Sequence, residues 1–382
     1  MGQIGGYSII KLFGVFFFIC SLFAIDEYYA KRTTELYYLL AYTVIGTCVD
    51  IIRQPFWSAS DFNEITRQLL IFIFIYATYN VICNHGSRII INLIAIGGVI
   101  LAFMQFVDFG FNRVIYEQIG REEFQRVSAL GRNANETAMF ISLAVIMACY
   151  YLVGTIKSNF KYRLLSLVII GVGVLGIIKT SSRGGLLTLV VGTLSMIVVA
   201  KDWSKKMFYG VLISVSLLIM FFVVINDPLL SSRIFKSMEE GDTAGRMYIW
   251  ERGIELFYDK PIVGFGHSRY IADLGWVCNE PLRAGHNTFL SVLLGSGFAG
   301  LIFFMIFYIK CFANIWKNKY YSINKVIFSW FVMGIVASMS CDLQTTKWFV
   351  VCCALALASP HTASRVIGNN QYNRARPSKN MF

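Results

Sequence analysis

The sequence predicts an all-α fold, a polytopic transmembrane helical bundle of about eleven spans, and three observations carry that expectation. Of 382 residues, 56% are hydrophobic and only 15% charged, more apolar surface than one soluble core can hide. Apolar runs of about 17 to 25 residues, each able to cross a ~30 Å hydrocarbon layer, recur through most of the chain. Basic residues gather in alternate connections, the asymmetry expected where Lys and Arg stay on the cytoplasmic side.

In chain order the runs lie near 7–25, 35–52, 68–83, 89–107, 134–155, 162–179, 185–200, 206–225, 288–309, 326–341 and 344–359. The first begins almost at Met1 and lacks the charged n-region and small-residue cleavage site of a signal peptide, so it reads as a retained span with no cleaved leader. A cytoplasmic tail bearing Arg365, Arg374, Arg376 and Lys379 puts Lys31 and Arg32, Arg88, Lys157 with Lys161 and Arg163, Lys201 with Lys205 and Lys206, and the stretch Lys310 to Lys325 on the inner side. The outer side then receives 53–67, 108–133, 180–184, 226–287 and 342–343, with the N-terminus outside. Three regions follow: 1–133 with spans one to four and an outer loop, a core at 134–359 that includes the loop 226–287, and a basic tail at 360–382. The nine cysteines lack metal-ligand spacing and read as small core residues, with a Cys278 to Cys341 disulfide as the minority alternative. The net charge of +12 comes without a basic helix or an aromatic-basic platform, so membrane topology explains it better than nucleic acid.

The basic residues differ in kind between the two sides. Inner loops are mainly lysine, whereas the outer segments carry Arg53, Arg67, Arg113, Arg121, Arg126, Arg132, Arg183, Arg233, Arg246, Arg252, Arg269 and Arg283. Arginine's planar fork grips phosphate in bidentate fashion, so an outward-facing phosphate ligand is one common cause; simple pairing with acids such as Glu122, Glu239 or Glu251 is the other. Connections in bundles are short, which makes the long segment 226–287 a functional subdomain by expectation.

Three constellations there and nearby can carry chemistry. Thr180-Ser181-Ser182-Arg183-Gly184-Gly185 joins spans six and seven, with serines suited to cap a helix. An arginine in a helix's first turn opposes the macrodipole by about 0.3 to 1 kcal/mol unless an anion lies between them. The glycines allow either a ligand or another helix to approach closely. Gly241-Asp242-Thr243-Ala244-Gly245-Arg246 leads into a second helix, with Thr243 as its cap, Met247, Trp250, Ile254 and Phe257 as an apolar stripe, and Arg246 again in the first turn. Gly264-Phe265-Gly266-His267 and Arg283-Ala284-Gly285-His286-Asn287-Thr288 bring two of the four histidines to the outer side, His267 reading as structural and His286 as a general base. No Walker-type phosphate loop, HExxH, Cys/His metal cluster or GxSxG elbow occurs, and no Asp-x-Asp pair suits a divalent cation, so metal-independent, cofactor-free chemistry is expected.

In order and spacing these segments resemble the bacterial O-antigen ligase and O-antigen polymerase family, multi-spanning glycosyltransferases of the GT-C type. The resemblance rests on Arg126 to Asn135, Ser181 to Gly185, Gly245-Arg246 through Trp250 to Gly266, and Gly285 to Thr288 running into Gly295, Gly297 and Gly300. It covers about 120–300, and spans one to four match by topology alone. Family members often have twelve spans, so one N-terminal span is missing or unrecognised here. The resemblance implies transfer of a glycan from undecaprenyl diphosphate to an acceptor hydroxyl, on a lipid core or another glycan, at the periplasmic or outer face of the bacterial inner membrane. Arg183 and Arg246 would hold the diphosphate and His286 would be the base, with Asn135 shaping the site, Arg126 as a further phosphate residue, and Ser182 and Asn287 beside them as substrate-binding residues. A repeat-unit polymerase is the alternative within the family. A transporter or flippase of lipid-linked sugars is the alternative outside it, and predicts charges in span centres and broken helices in matched halves, whereas here charges avoid span centres.

Overall fold

A computed structural model describes residues 3–4, 7–53, 59–107, 113–119, 122–129, 133–154, 160–226, 231, 245–321 and 323–364. Apolar helices stand at all eleven predicted positions: α1 (Ile9–Leu22), α3 (Thr34–Ile52), α4 (Ala59–His85), α5 (Arg88–Met104), α6 (Ala134–Gly154), α7 (Phe160–Lys179), α8 (Arg183–Val199), α9 (Trp203–Asn226), α12 (Thr288–Asn318), α13 (Asn324–Ser338) and α14 (Lys347–Leu357). Among the described residues, Thr34–Ile52, Thr66–His85, Ala134–Val153, Phe160–Lys179 and Thr288–Asn318 are each long and apolar enough to cross a membrane, and Arg88–Met104, Arg183–Val199, Asn324–Ser338 and Lys347–Leu357 are shorter apolar helices. Short helices α2 (Ile25–Tyr28), α10 (Arg246–Phe257) and α11 (Tyr270–Val277) complete the set. The chain is an all-α, multi-pass membrane protein.

The core lies where α6 meets α5, α7 and α8, and where α8 meets α13. Trp330 of α13 is wholly buried and donates its indole N–H to the carbonyl of Leu143 on α6 at 3.0 Å. Lipid gives no hydrophobic drive between helices, so close contact relies on small residues. A side chain on Gly185 would collide with Ala138 of α6, which assigns that glycine to helix packing. The outer surfaces of α5, α7 and α9 expose Leu93, Ile96, Leu165, Val168, Leu218 and Phe222, a belt that only hydrocarbon leaves without cost.

Two features depart from the sequence reading. Residues 108–133 contain an antiparallel hairpin, β3 (Arg113–Ile119) with β4 (Glu122–Ser128), in register Arg113 to Ser128; a shorter pair, β1 (Gln3–Ile4) and β2 (Tyr7–Ser8), precedes α1. The apolar stripe of α10 is also rotated from the one expected. Ile249, Gly253 and Leu256 face inward with Trp250 and Phe257 beside them, while Met247 and Ile254 are both 49% exposed. Gly253 sets this orientation, because its missing side chain admits Leu290 of α12. Ile249, Leu256, Phe265, Tyr270, Leu274 and Leu290 form a separate core that seats α10 and α11 on the start of α12.

α12 is broken at Gly297, whose φ of 64° and ψ of −167° lie outside the helix. The segment 261–266 fills the break. Phe265 and Gly266 donate backbone N–H groups to Leu294 and Gly295 at 2.7 and 2.9 Å, and Phe298 and Ala299 donate to Pro261 and Ile262 at 2.8 and 3.0 Å. Backbone groups freed at membrane depth need such partners, which are costly to lack in hydrocarbon. The run Pro261 to Gly266 is therefore a splint. Its far side is pinned to α3, where the buried carboxylate of Asp50 accepts from the Ser268 N–H at 3.1 Å and the Ser268 hydroxyl at 2.7 Å, and Arg53 bonds the Phe265 carbonyl at 2.6 Å and Asp273 at 3.0 Å.

Candidate active site

At the end of the bundle where α6, α8 and α12 begin and α13 ends, four loops meet. Ser182 caps α8, accepting from the Gly185 N–H at 3.0 Å, while its hydroxyl donates to Oδ1 of Asn135 at 2.7 Å. Two of the expected substrate residues thus hold each other, and Arg183 follows as the first residue of α8. Gly184 faces the hydroxyl of Ser340, one residue before Cys341 at the end of α13.

The opposite wall is the 285–288 loop. Asn287 caps α12, its Oδ1 accepting from Phe289 and Leu290 at 3.0 and 3.2 Å, so that atom serves the helix. Thr288, fully buried, donates to the Cys341 carbonyl at 2.7 Å and accepts from the Leu343 N–H at 2.9 Å. Asp342 then receives the backbone N–H of His286 at 3.1 Å and the hydroxyl of Ser291. His286 itself has a left-handed backbone, φ 48°, a conformation that holds only where surroundings enforce it. The carboxylate of Asp342 is that enforcement.

α10 brings Arg246 to the same place. The helix starts at Gly245, which is left-handed at φ 72° and offers no side-chain cap; Thr243, the expected cap, lies outside the described residues. One turn on from Arg246, Trp250 donates its indole N–H to the Gly285 carbonyl at 3.1 Å. This tethers the helix to the residue before His286.

The electrostatics link these groups. Burial pushes the His286 imidazole below its ordinary value; Asp342 opposes that, while Arg246 and Arg283 push the same way and Glu280 opposes. His286 is therefore neutral near pH 7 and able to accept a proton. Arg283 is paired with Glu280 at 2.8 Å, whereas among the described residues no carboxylate lies within ion-pairing distance of Arg246.

Of the residues singled out from sequence, Arg246 and His286 stand within electrostatic reach of each other, and Arg183, Ser182 and Asn135 line the α8–α6 side of the same end. Arg126 lies in β4 opposite Ile115, on a hairpin whose last residue, Ser128, meets Thr137 of α6 at 3.3 Å. Asp342 was not singled out. A carboxylate in a two-residue connection between apolar runs was the available signal. His267, read as structural, is buried with its ring edge-on to Tyr42 at 4.9 Å. Among the described residues no group of three or more His, Cys, Asp or Glu could hold a metal ion, and all nine cysteines are free thiols, Cys278 and Cys341 included.

The site lies at one end of a multi-pass bundle, and part of it falls within a stretch that is similar to a known family. Residues 172–305, about a third of the chain, match the family model described as O-antigen ligase, which bears out the resemblance over a stretch holding Arg183, Arg246, His286 and Asn287. Arg126, Asn135 and Asp342 lie outside it. A solved structure described as "Structural coordination of polymerization and crosslinking by a peptidoglycan synthase complex" aligns at 16% identity, covering 86% of this chain and 96% of that one, with a TM-score of 0.47. A comparison with curated proteins gives no match.

Proposed function

We propose that the protein transfers a glycan from undecaprenyl diphosphate to an acceptor hydroxyl, in the manner of an O-antigen ligase. The observation that carries this reading is His286, held by Asp342 and kept neutral beside Arg246. His286 takes the proton of the acceptor hydroxyl as its oxygen attacks the anomeric carbon. The bond from that carbon to the diphosphate oxygen breaks, its electron pair leaves with the diphosphate, and the configuration inverts. Charge then grows on the diphosphate, where the forks of Arg183 and Arg246, each at a helix N-terminus, stabilise it. Arg126, on the hairpin that precedes α6, is a further phosphate-binding candidate, and Asn135, Ser182 and Asn287 shape the walls. The site would face the periplasm or cell exterior from the inner membrane.

The test is transfer by the purified full-length protein in EDTA, comparing wild type with His286→Ala, Arg183→Ala and Arg246→Ala. Metal-independent transfer lost in all three supports the reading, and the product identifies ligase or polymerase. Variants as active as wild type would overturn the site, and absence of undecaprenyl diphosphate release with any acceptor would favour transport.

A further inference from the structure

The end of the bundle remote from the candidate site holds a second cavity. Its walls are the last turns of α6 and α8 and the first turns of α9 and α13, with Tyr150, Met196, Val199, Lys205, Tyr209 and Lys325 among the lining residues, and its volume is about 150 Å³. Because α8 runs from Arg183 to Val199 and α13 from Asn324 to Ser338, this cavity and the candidate site lie a full helix length apart.

Its charges are arranged against themselves. Lys205 and Lys325 each sit in the first turn of a helix, at the positive end of the macrodipole. Lys205 is paired with Asp202 at 2.6 Å, whereas Lys325 has no ion pair among the described residues and feels Lys205 and Lys201 as like charges with Asp202 as the single opposing one. Tyr209 is only 5% exposed, and its hydroxyl has no hydrogen-bond partner among the described residues. The Tyr209 ring is buried while its residue lines the cavity together with two lysines, a place from which its hydroxyl can donate to an acceptor. Met196 and Val199 make the remaining wall apolar.

We propose that this cavity binds a phosphate group, with Lys205 and Lys325 as charge partners and the Tyr209 hydroxyl as donor. A phosphate removes both helix-end conflicts and the lysine repulsion together. Basic pockets between helices near an anionic leaflet suit phospholipid headgroups, and the apolar wall here suits the glycerol and first methylenes that follow one; free phosphate shares the same chemistry.

Native mass spectrometry and thermal unfolding of the full-length protein in detergent test it, with phosphatidylglycerol, phosphatidylcholine or inorganic phosphate added. Phosphatidylglycerol is expected to stay bound and raise Tm, with retained lipid falling at least fivefold in Lys205→Gln/Lys325→Gln and two- to threefold in Tyr209→Phe. Lys317→Gln, on the same end but outside the cavity, is expected to bind as wild type does. Without lipid the double variant should unfold no earlier than wild type, since it relieves the conflicts, so loss of binding is separable from misfolding. If inorganic phosphate reproduces the Tm gain and the double variant loses it, the proposal stands with free phosphate as the ligand. A gain that survives in the double variant, or a loss equally large in Lys317→Gln, overturns it.

Discussion

Replacing Asp342 tests whether the His286 loop is held in a working conformation from outside. The carboxylate accepts the His286 N–H at 3.1 Å, and His286 keeps φ at 48°. A hydrogen bond to a charged group contributes about 1.5–3 kcal/mol, and a non-glycine residue in a sparsely populated backbone region costs about 1–3 kcal/mol. Asp342→Ala removes the first and leaves the second unopposed. With about 2 kcal/mol appearing in the population of the competent loop, transfer falls about 30-fold. Asp342→Asn keeps an acceptor and loses the charge, so a loss of about 1 kcal/mol and about fivefold is expected. Asp342 also favours the protonated imidazole, so either substitution moves the acid limb of the pH–rate profile to lower pH. Initial rates across pH, on protein whose unfolding temperature matches wild type, check this. Asp342→Ala within twofold of wild type, or an acid limb moved upward, would refute the reasoning.

Three further outcomes follow from the geometry. Gly297→Ala puts a methyl against the Ile262 carbonyl at a φ of 64°, so a destabilisation of about 2 kcal/mol or more and a clearly lowered Tm are expected, and an unchanged thermal scan would contradict the splint. Burial holds the His267 imidazole down to about 4 from 6.5, so the unfolded chain binds the extra proton between those values. The stability this gives is complete above pH 6.5 and is lost as pH falls toward 4, about 3 kcal/mol in all, and Tm against pH should be flatter in that window for His267→Asn. Trp250→Phe deletes the 3.1 Å bond to Gly285, which should slow transfer about fivefold with little change in Tm, and unaltered kinetics would show that the tether is unimportant.

Much of the bundle was legible because lipid makes a simple demand on sequence, long apolar runs with charges at their ends, and helices stand at each such run. The hairpin was missed for the opposite reason. Val114, Ile115 and Tyr116, then Phe124 and Val127, flank Gly120-Arg121 as a short strand pair does, but the signal is weak beside that of neighbouring spans. The face of α10 was misjudged because hydrophobicity alone favoured Met247 and Ile254, while the packing was decided by Gly253, which has no side chain to weigh. In the site, Arg183 and Arg246 were visible from their conflict with a helix start. Asp342 was not, because its role depends on a backbone N–H 56 residues away in the chain.

A break in a helix ordinarily marks a weak point. At Gly297 the opposite holds, since the two cut ends of α12 are stitched to 261–266 by four backbone bonds, and that segment is fastened in turn to Asp50 and Arg53 near the start of the chain. The amides of Phe265, Gly266, Phe298 and Ala299 therefore belong to one cooperative unit, and their hydrogen exchange should proceed only when the bundle opens as a whole.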